Sequence, residues 1–203
     1  MLDKLVIQYY RIQSMTIDKL SVLDGIAPLA FRLYLFNVFW MAANNKWNPF
    51  NPESSIENTI GWFKHSLELP MPELLAYMAW ATEYFGAILI LIGLATRWIS
   101  IPLIATMVVA IFTVHIDNGW SAIASGADTE VSSRLGAART LLQEHGNYDW
   151  LTAKGSYVIL QNGIEFGVTY LIMLLSLLFT GGGRYFSMDF YLNKFLKPLE
   201  TEK

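Results

Sequence analysis

The 203-residue chain contains no cysteine. Thiol–disulfide relays, thiolate metal sites and iron–sulfur ligation all need cysteine sulfur, so each is excluded. Histidine is scarce as well, with His65, His115 and His145 the whole supply. Only His115 falls inside an apolar stretch, which excludes a bis-histidine haem between spans. The sequence holds no phosphate-cradling glycine loop, no nucleophile elbow and no two-histidine zinc motif. Charged residues make up 15% of the chain, against about a quarter in soluble domains. The formal net charge of -3 gives no electrostatic reason to expect nucleic acid as a partner.

Apolar residues fill the space left by charge. They account for 54% of the chain, and the mean hydropathy is +0.36. Residues 26–43, 72–94, 98–115 and 163–180 are nearly all apolar, over roughly the 17 to 25 residues that a tilted helix needs to cross the hydrocarbon layer. The expected fold is therefore all-α, an integral membrane four-helix bundle forming one domain over 1–203. The first run differs from a signal peptide because about 25 residues precede it and no small-residue cleavage pattern follows, so it is read as retained.

Residues 1–24 mix apolar positions at helical spacing with Lys4, Arg11, Asp18 and Lys19, which suits an interfacial helix on the membrane surface. The loops at 44–71 and 116–162 carry Trp47, Trp62, Trp120 and Trp150, rings that settle at the headgroup level or cover a bundle mouth. A partly helical outer cap is expected. Thr129 to His145 has helical periodicity, with Val131, Leu135, Ala138 and Leu142 on one face, and Gly146 and Asn147 would end that helix. The tail is 181–203. Lys and Arg near the span ends favour the side holding both termini: Lys4, Arg11, Lys19, Arg97, Arg184, Lys194, Lys197 and Lys203, against Lys46, Lys64, Arg134, Arg139 and Lys154. By the positive-inside rule both termini are cytoplasmic, as expected of a multi-pass protein of the bacterial inner membrane.

Each apolar stretch carries one ionisable residue: Arg32, Glu83, His115 and Glu165. Such residues usually face a bundle interior or a wet cavity and mark function, because exposing them to lipid is costly. Helical rise places Arg32 and Glu83 near enough in depth to pair, and puts His115, Glu165 and Asn44 at the outer end. The expected ligand-binding set is thus Arg32, Asn44, Glu83, His115 and Glu165, with an ion pair at the floor of an outward pocket. His115 and Glu165 are the metal candidates, and copper is the candidate metal. Arg32 and Glu83 could instead fix helix register, and His115 and Glu165 could be interfacial residues in contact with water. Met41, Met71, Met78 and Met107 could offer thioethers to copper(I), although a methionine stripe more often fills a core. Gly86, Ala87 and Gly93 provide surfaces where helices approach closely, either within one chain or in a homo-oligomer.

The stretch Glu83-Tyr-Phe-Gly-Ala-Ile-Leu-Ile-Leu-Ile-Gly-Leu-Ala-Thr-Arg97, Arg32-Leu33, and Gly181-Gly-Gly-Arg184-Tyr-Phe-Ser187-Met-Asp189 resemble the DoxX family of small four-helix membrane proteins over roughly residues 28 to 192. Phe186 is an extra residue relative to that family's closing motif, and the third connection is longer than usual. The long segment looks most like the branch encoded beside genes for maturing copper-binding ribosomal peptides. The resemblance implies an accessory protein that assists maturation, export or handling of a copper-related peptide or small ligand, with a membrane or maturation-pathway protein as partner. The family's founding name points to an alternative, a membrane subunit of a quinone-linked oxidoreductase. A plain anchoring subunit is the third reading. No catalytic set belonging to this chain alone is legible.

Overall fold

The computed structural model describes the backbone of residues 2–20 and 23–200, and the side chains of residues 5–15 and 23–196. Among the described residues the helices are α1 (Leu2–Leu20), α2 (Ile26–Lys46), α3 (Glu57–His65), α4 (Pro72–Ile92), α5 (Thr96–Ala110), α6 (Thr129–His145), α7 (Tyr148–Thr152), α8 (Glu165–Thr180) and α9 (Met188–Glu200). No strand occurs among them; one isolated antiparallel bridge joins Ile123 and Leu160. The chain is an all-α membrane protein that sits in a lipid bilayer. It divides into two compact units, Met1–Thr106 with Ile172–Lys203, and Met107–Leu171.

In the first unit α2 packs along α4, burying Leu35 and Phe39 from one helix and Ala87 and Ile90 from the other. Gly86 lies against Leu103 of α5: a Cβ built there would come within 2.9 Å of its side chain. Gly93 lies against Arg32. Both glycines are therefore used for close approach inside the chain. α3 caps α4 through Ile56 and Phe63, which pack with Ala76 beneath Trp47 and Trp80. That cluster joins the 44–71 loop, where the aromatic content pointed to a folded cap, to the start of α4.

Helix α2 runs three residues past the expected end at 43, so that Lys46 belongs to it. Ser21 and Val22, near the expected end of the first helix, lie outside the described residues. The 181–203 tail contains an amphipathic helix, α9. Its start is tied to the α4–α5 turn: the Asp189 carboxylate accepts from the N–H groups of Ala95 (2.7 Å) and Thr96 (2.8 Å), and the Asp189 N–H donates to Gly93 O (2.9 Å). Two of the three segments that carry the family resemblance thus meet in one clasp, at Gly93, Ala95 and Thr96 on one side and Asp189 on the other. Asp189→Ala frees two N–H donors at the start of α5, and the expected result is a loss of about 2 kcal/mol, checked by thermal unfolding in detergent.

The second unit contains a single π-helical turn, Ile111–His115, which continues α5 into a 3-10 turn, Ile116–Asn118. With those turns the third span is 23 residues long and, like α2 and α4, is long and apolar enough to cross a membrane. The fourth span expected from residue 163 starts only at Glu165 and is 16 residues long. Gly163 donates to Ser121 O and Ile164 to Gly119 O, both at 3.0 Å, so the chain there is held in extended pairing rather than helix. α6 spans the expected residues: Asp128 caps Glu130 and Val131, Gly146 follows the last turn, and Leu135 is the buried member of the expected face.

Candidate functional site

Arg32 sits in the second turn of α2 and is 1% exposed. Its Nε donates to Ile90 O (2.7 Å), Nη2 to Leu91 O (2.5 Å), and Nη1 to both Gly182 O and Phe186 O (2.9 Å each). Ile90 and Leu91 belong to the last turn of α4, where carbonyls lack the usual partner four residues on; Ile90 O also accepts from Gly93 N–H at 3.1 Å. The planar guanidinium presents donors in several directions at once, so one side chain satisfies the end of α4 and holds the Gly182–Phe186 segment against it. Gly93, at φ +67°, makes room: a Cβ there would lie 2.7 Å from the guanidinium carbon. Gly182 is equally constrained, since a Cβ would come within 2.7 Å of Thr96 Oγ1.

The expected Arg32–Glu83 pair is therefore not formed. Helix termini offer a buried arginine carbonyl oxygens, which are invisible when only charged residues are counted. Glu83, in the middle of α4, instead accepts from Lys46 Nζ at 2.6 Å; the carboxylate side chain is 3% exposed and the lysine 21%. Lys46 lies in the last turn of α2, and its long stem carries the ammonium along the helix to the carboxylate. Depth along the axis had placed Lys46 at the outer end and left that reach out of account. Aromatic rings lie beside both partners in sequence. Trp47 stacks near Trp80 (centroids 4.6 Å apart), Trp80 on Tyr84 (5.2 Å), and Tyr84 near Trp40 (5.1 Å). Trp80 Nε1 donates to Trp47 O at 2.8 Å, which fixes the turn that follows Lys46. The other residue expected in this unit, Asn44, is half-buried and donates to Trp40 O one turn back, at 2.7 Å.

His115 and Glu165 both belong to the second unit, and the local backbone engages each. His115 Nδ1 lies 2.9 Å from Asn162 O, so Nδ1–H donates to that carbonyl and Nε2 is the ring nitrogen it does not engage. Glu165 Oε2 accepts from Ala122 N at 2.9 Å. Among the described residues no three His, Asp or Glu side chains converge as a metal-binding group. Of the groups that organise these sites, sequence reasoning missed Lys46 as a partner of Glu83. Asp189 entered only as part of a motif, although an acidic residue facing a helix start is a recognisable cap.

No curated protein matches the chain, and no solved structure matches it either. The match that exists falls on the segment just described, from the start of α2 to the π turn that ends in His115. Residues 27–116 match the DoxX family model, which supports the family resemblance carried by Arg32, Glu83, Gly93 and Arg97.

Proposed function

We propose that this chain is a noncatalytic DoxX-like subunit of the bacterial inner membrane, with both termini cytoplasmic, and that it receives the head group of a ring-bearing amphiphile, such as a quinone, at Lys46–Glu83. One observation carries the reading: a carboxylate in the middle of a span draws a cation from the end of the neighbouring helix, and the same two helix segments carry a run of ring contacts, Trp47–Trp80–Tyr84–Trp40. The ion pair offers a donor and an acceptor to ring carbonyls or hydroxyls, and the indole and phenol faces suit a planar ring. Electron transfer needs a redox-active partner subunit, which makes this the quinone-linked reading of the resemblance. Arg32, with its hydrogen bonds directed to carbonyls, supports the site by fixing α2 against α4.

A second reading, the handling of a copper-related peptide or small ligand within a maturation or export pathway, is favoured by one feature. His115 keeps Nε2 available beside the aromatic-rich loop of its unit, and Glu165 follows soon after the Asn162 carbonyl that holds the ring. One set of purified proteins tests both readings. A short-chain quinone analogue titrated into wild type is expected to quench tryptophan fluorescence saturably, and Glu83→Gln/Lys46→Met is expected to abolish the saturable part. Copper content and copper(I) affinity are measured on wild type and His115→Ala. Quenching that is linear in wild type sinks the quinone reading, whereas stoichiometric copper lost with His115 establishes the second.

A further inference from the structure

The end of the first unit away from Lys46 holds a cavity of about 830 Å³, walled by Asp24, Arg97, Trp98, Thr180, Arg184 and Asp189 among others. That volume suits a small-molecule ligand. Three of its charged groups are occupied. Asp189 spends both oxygens on Ala95 and Thr96 N–H groups, and Arg184 meets Asp24 at 3.4 Å in a pair that is about half exposed. Arg97 has no hydrogen-bond or ion-pair partner among the described residues, yet it lines the cavity with its guanidinium over Gly181, a Cβ there lying 3.2 Å from Nε. A guanidinium with all its donors unspent, beside a second one held only by an exposed pair of small worth, makes the cavity an anion site.

The depth of the cavity identifies the anion. Phe190 and Asn193 of α9 face the cavity, while Met188, Tyr191, Leu192, Phe195 and Leu196 form an exposed stripe at i, i+3, i+4, i+7 and i+8. On a chain with membrane spans, an outward apolar stripe beside a polar face lies in the interface plane. Trp98, 77% exposed and next to Arg97, marks the same level. Residues at headgroup depth meet lipid phosphate before any soluble phosphate. We propose that the cavity binds the phosphate of an anionic phospholipid between Arg97 and Arg184, with its acyl chains lying along Trp98 and the apolar stripe of α9.

Native mass spectrometry of the delipidated full-length protein tests this with three probes: phosphatidylglycerol, phosphatidylcholine of the same acyl chains, and inorganic phosphate. Wild type is expected to retain phosphatidylglycerol at roughly tenfold lower concentration than phosphatidylcholine, in keeping with two cations at the surface. Arg97→Gln, an exposed position outside the clasp, is expected to remove most of that preference with helical content unchanged, and Arg97→Lys to keep part of it. Arg97→Gln/Arg184→Gln is expected to remove it all. Equal retention of the two lipids by wild type, a preference that survives Arg97→Gln, or tight binding of inorganic phosphate without lipid would each overturn the proposal.

Discussion

Arg32→Leu is expected to cost about 4 kcal/mol or more and to leave little folded protein after detergent extraction. The substitution keeps the helix and its apolar surface but takes the guanidinium donors from the carbonyls of Ile90, Leu91, Gly182 and Phe186 together, with only Ile90 O keeping a second donor, the Gly93 N–H. A buried acceptor left without a donor costs about 1–3 kcal/mol, and here water has little access to replace the guanidinium. Arg32→Lys is expected to recover only part of the loss. A single ammonium has three donors radiating from one point, whereas the four oxygens surround an extended plane. Thermal midpoints measured in one detergent for both variants check this: an Arg32→Leu protein as stable as wild type would show that the clasp contributes nothing. Because Asp189 holds the same turn from the other side, Asp189→Ala and Arg32→Lys should be non-additive, as expected of neighbours in one network.

The second large effect is expected at Lys46–Glu83, and it is asymmetric. Lys46→Met leaves a carboxylate inside a span without its cation and should cost about 3–5 kcal/mol, the range for breaking a buried pair. Glu83→Gln should cost less, about 1–2 kcal/mol, because the partly exposed lysine can turn its ammonium toward the end of the helix. The double variant should lie close to wild type or above it, since a buried pair replaced by neutral groups is often neutral in stability. A thermal-unfolding cycle over the four proteins supplies the coupling. Additive single effects would mean that the 2.6 Å contact carries no stability. The same variants separate stability from ligand binding, since a double variant that is stable yet no longer quenched by quinone isolates the site's function from its structural role.

The spans were legible because burial in lipid demands long unbroken apolar runs, and the starts of α2 and α4 follow from where those runs begin. α6 was legible for a different reason, its one-sided periodicity and its Gly146 end. The polar interior was only half legible. Counting ionisable residues found Arg32 and Glu83, the two that matter most in the first unit, and then paired them with each other. Both errors of pairing have one physical source: what a buried charge needs is a partner oxygen or nitrogen within reach, and reach depends on stem length and backbone, which residue spacing does not encode. For Arg32 a usable signal did exist, since Gly93 marks a helix end whose orphan carbonyls an arginine can fill. For the short α8 none did, because Gly163 and Ile164 are apolar enough to extend the run and only their pairing with Ser121 and Gly119 removes them from the helix.

The four carbonyls around Arg32 are separated widely in the order of synthesis. Ile90 and Leu91 leave the ribosome with the end of the second span, but Phe186 follows Leu91 by 95 positions. At translation rates of about 5–20 residues per second, that is an interval of roughly 5–20 s. During it, the guanidinium is half-satisfied within a nascent membrane protein, and the protein's final closure is a timed event governed by its own C-terminal segment. Arg32 therefore gains its last two acceptors, Gly182 O and Phe186 O, in the same late step that brings Asp189 to the N–H groups of Ala95 and Thr96.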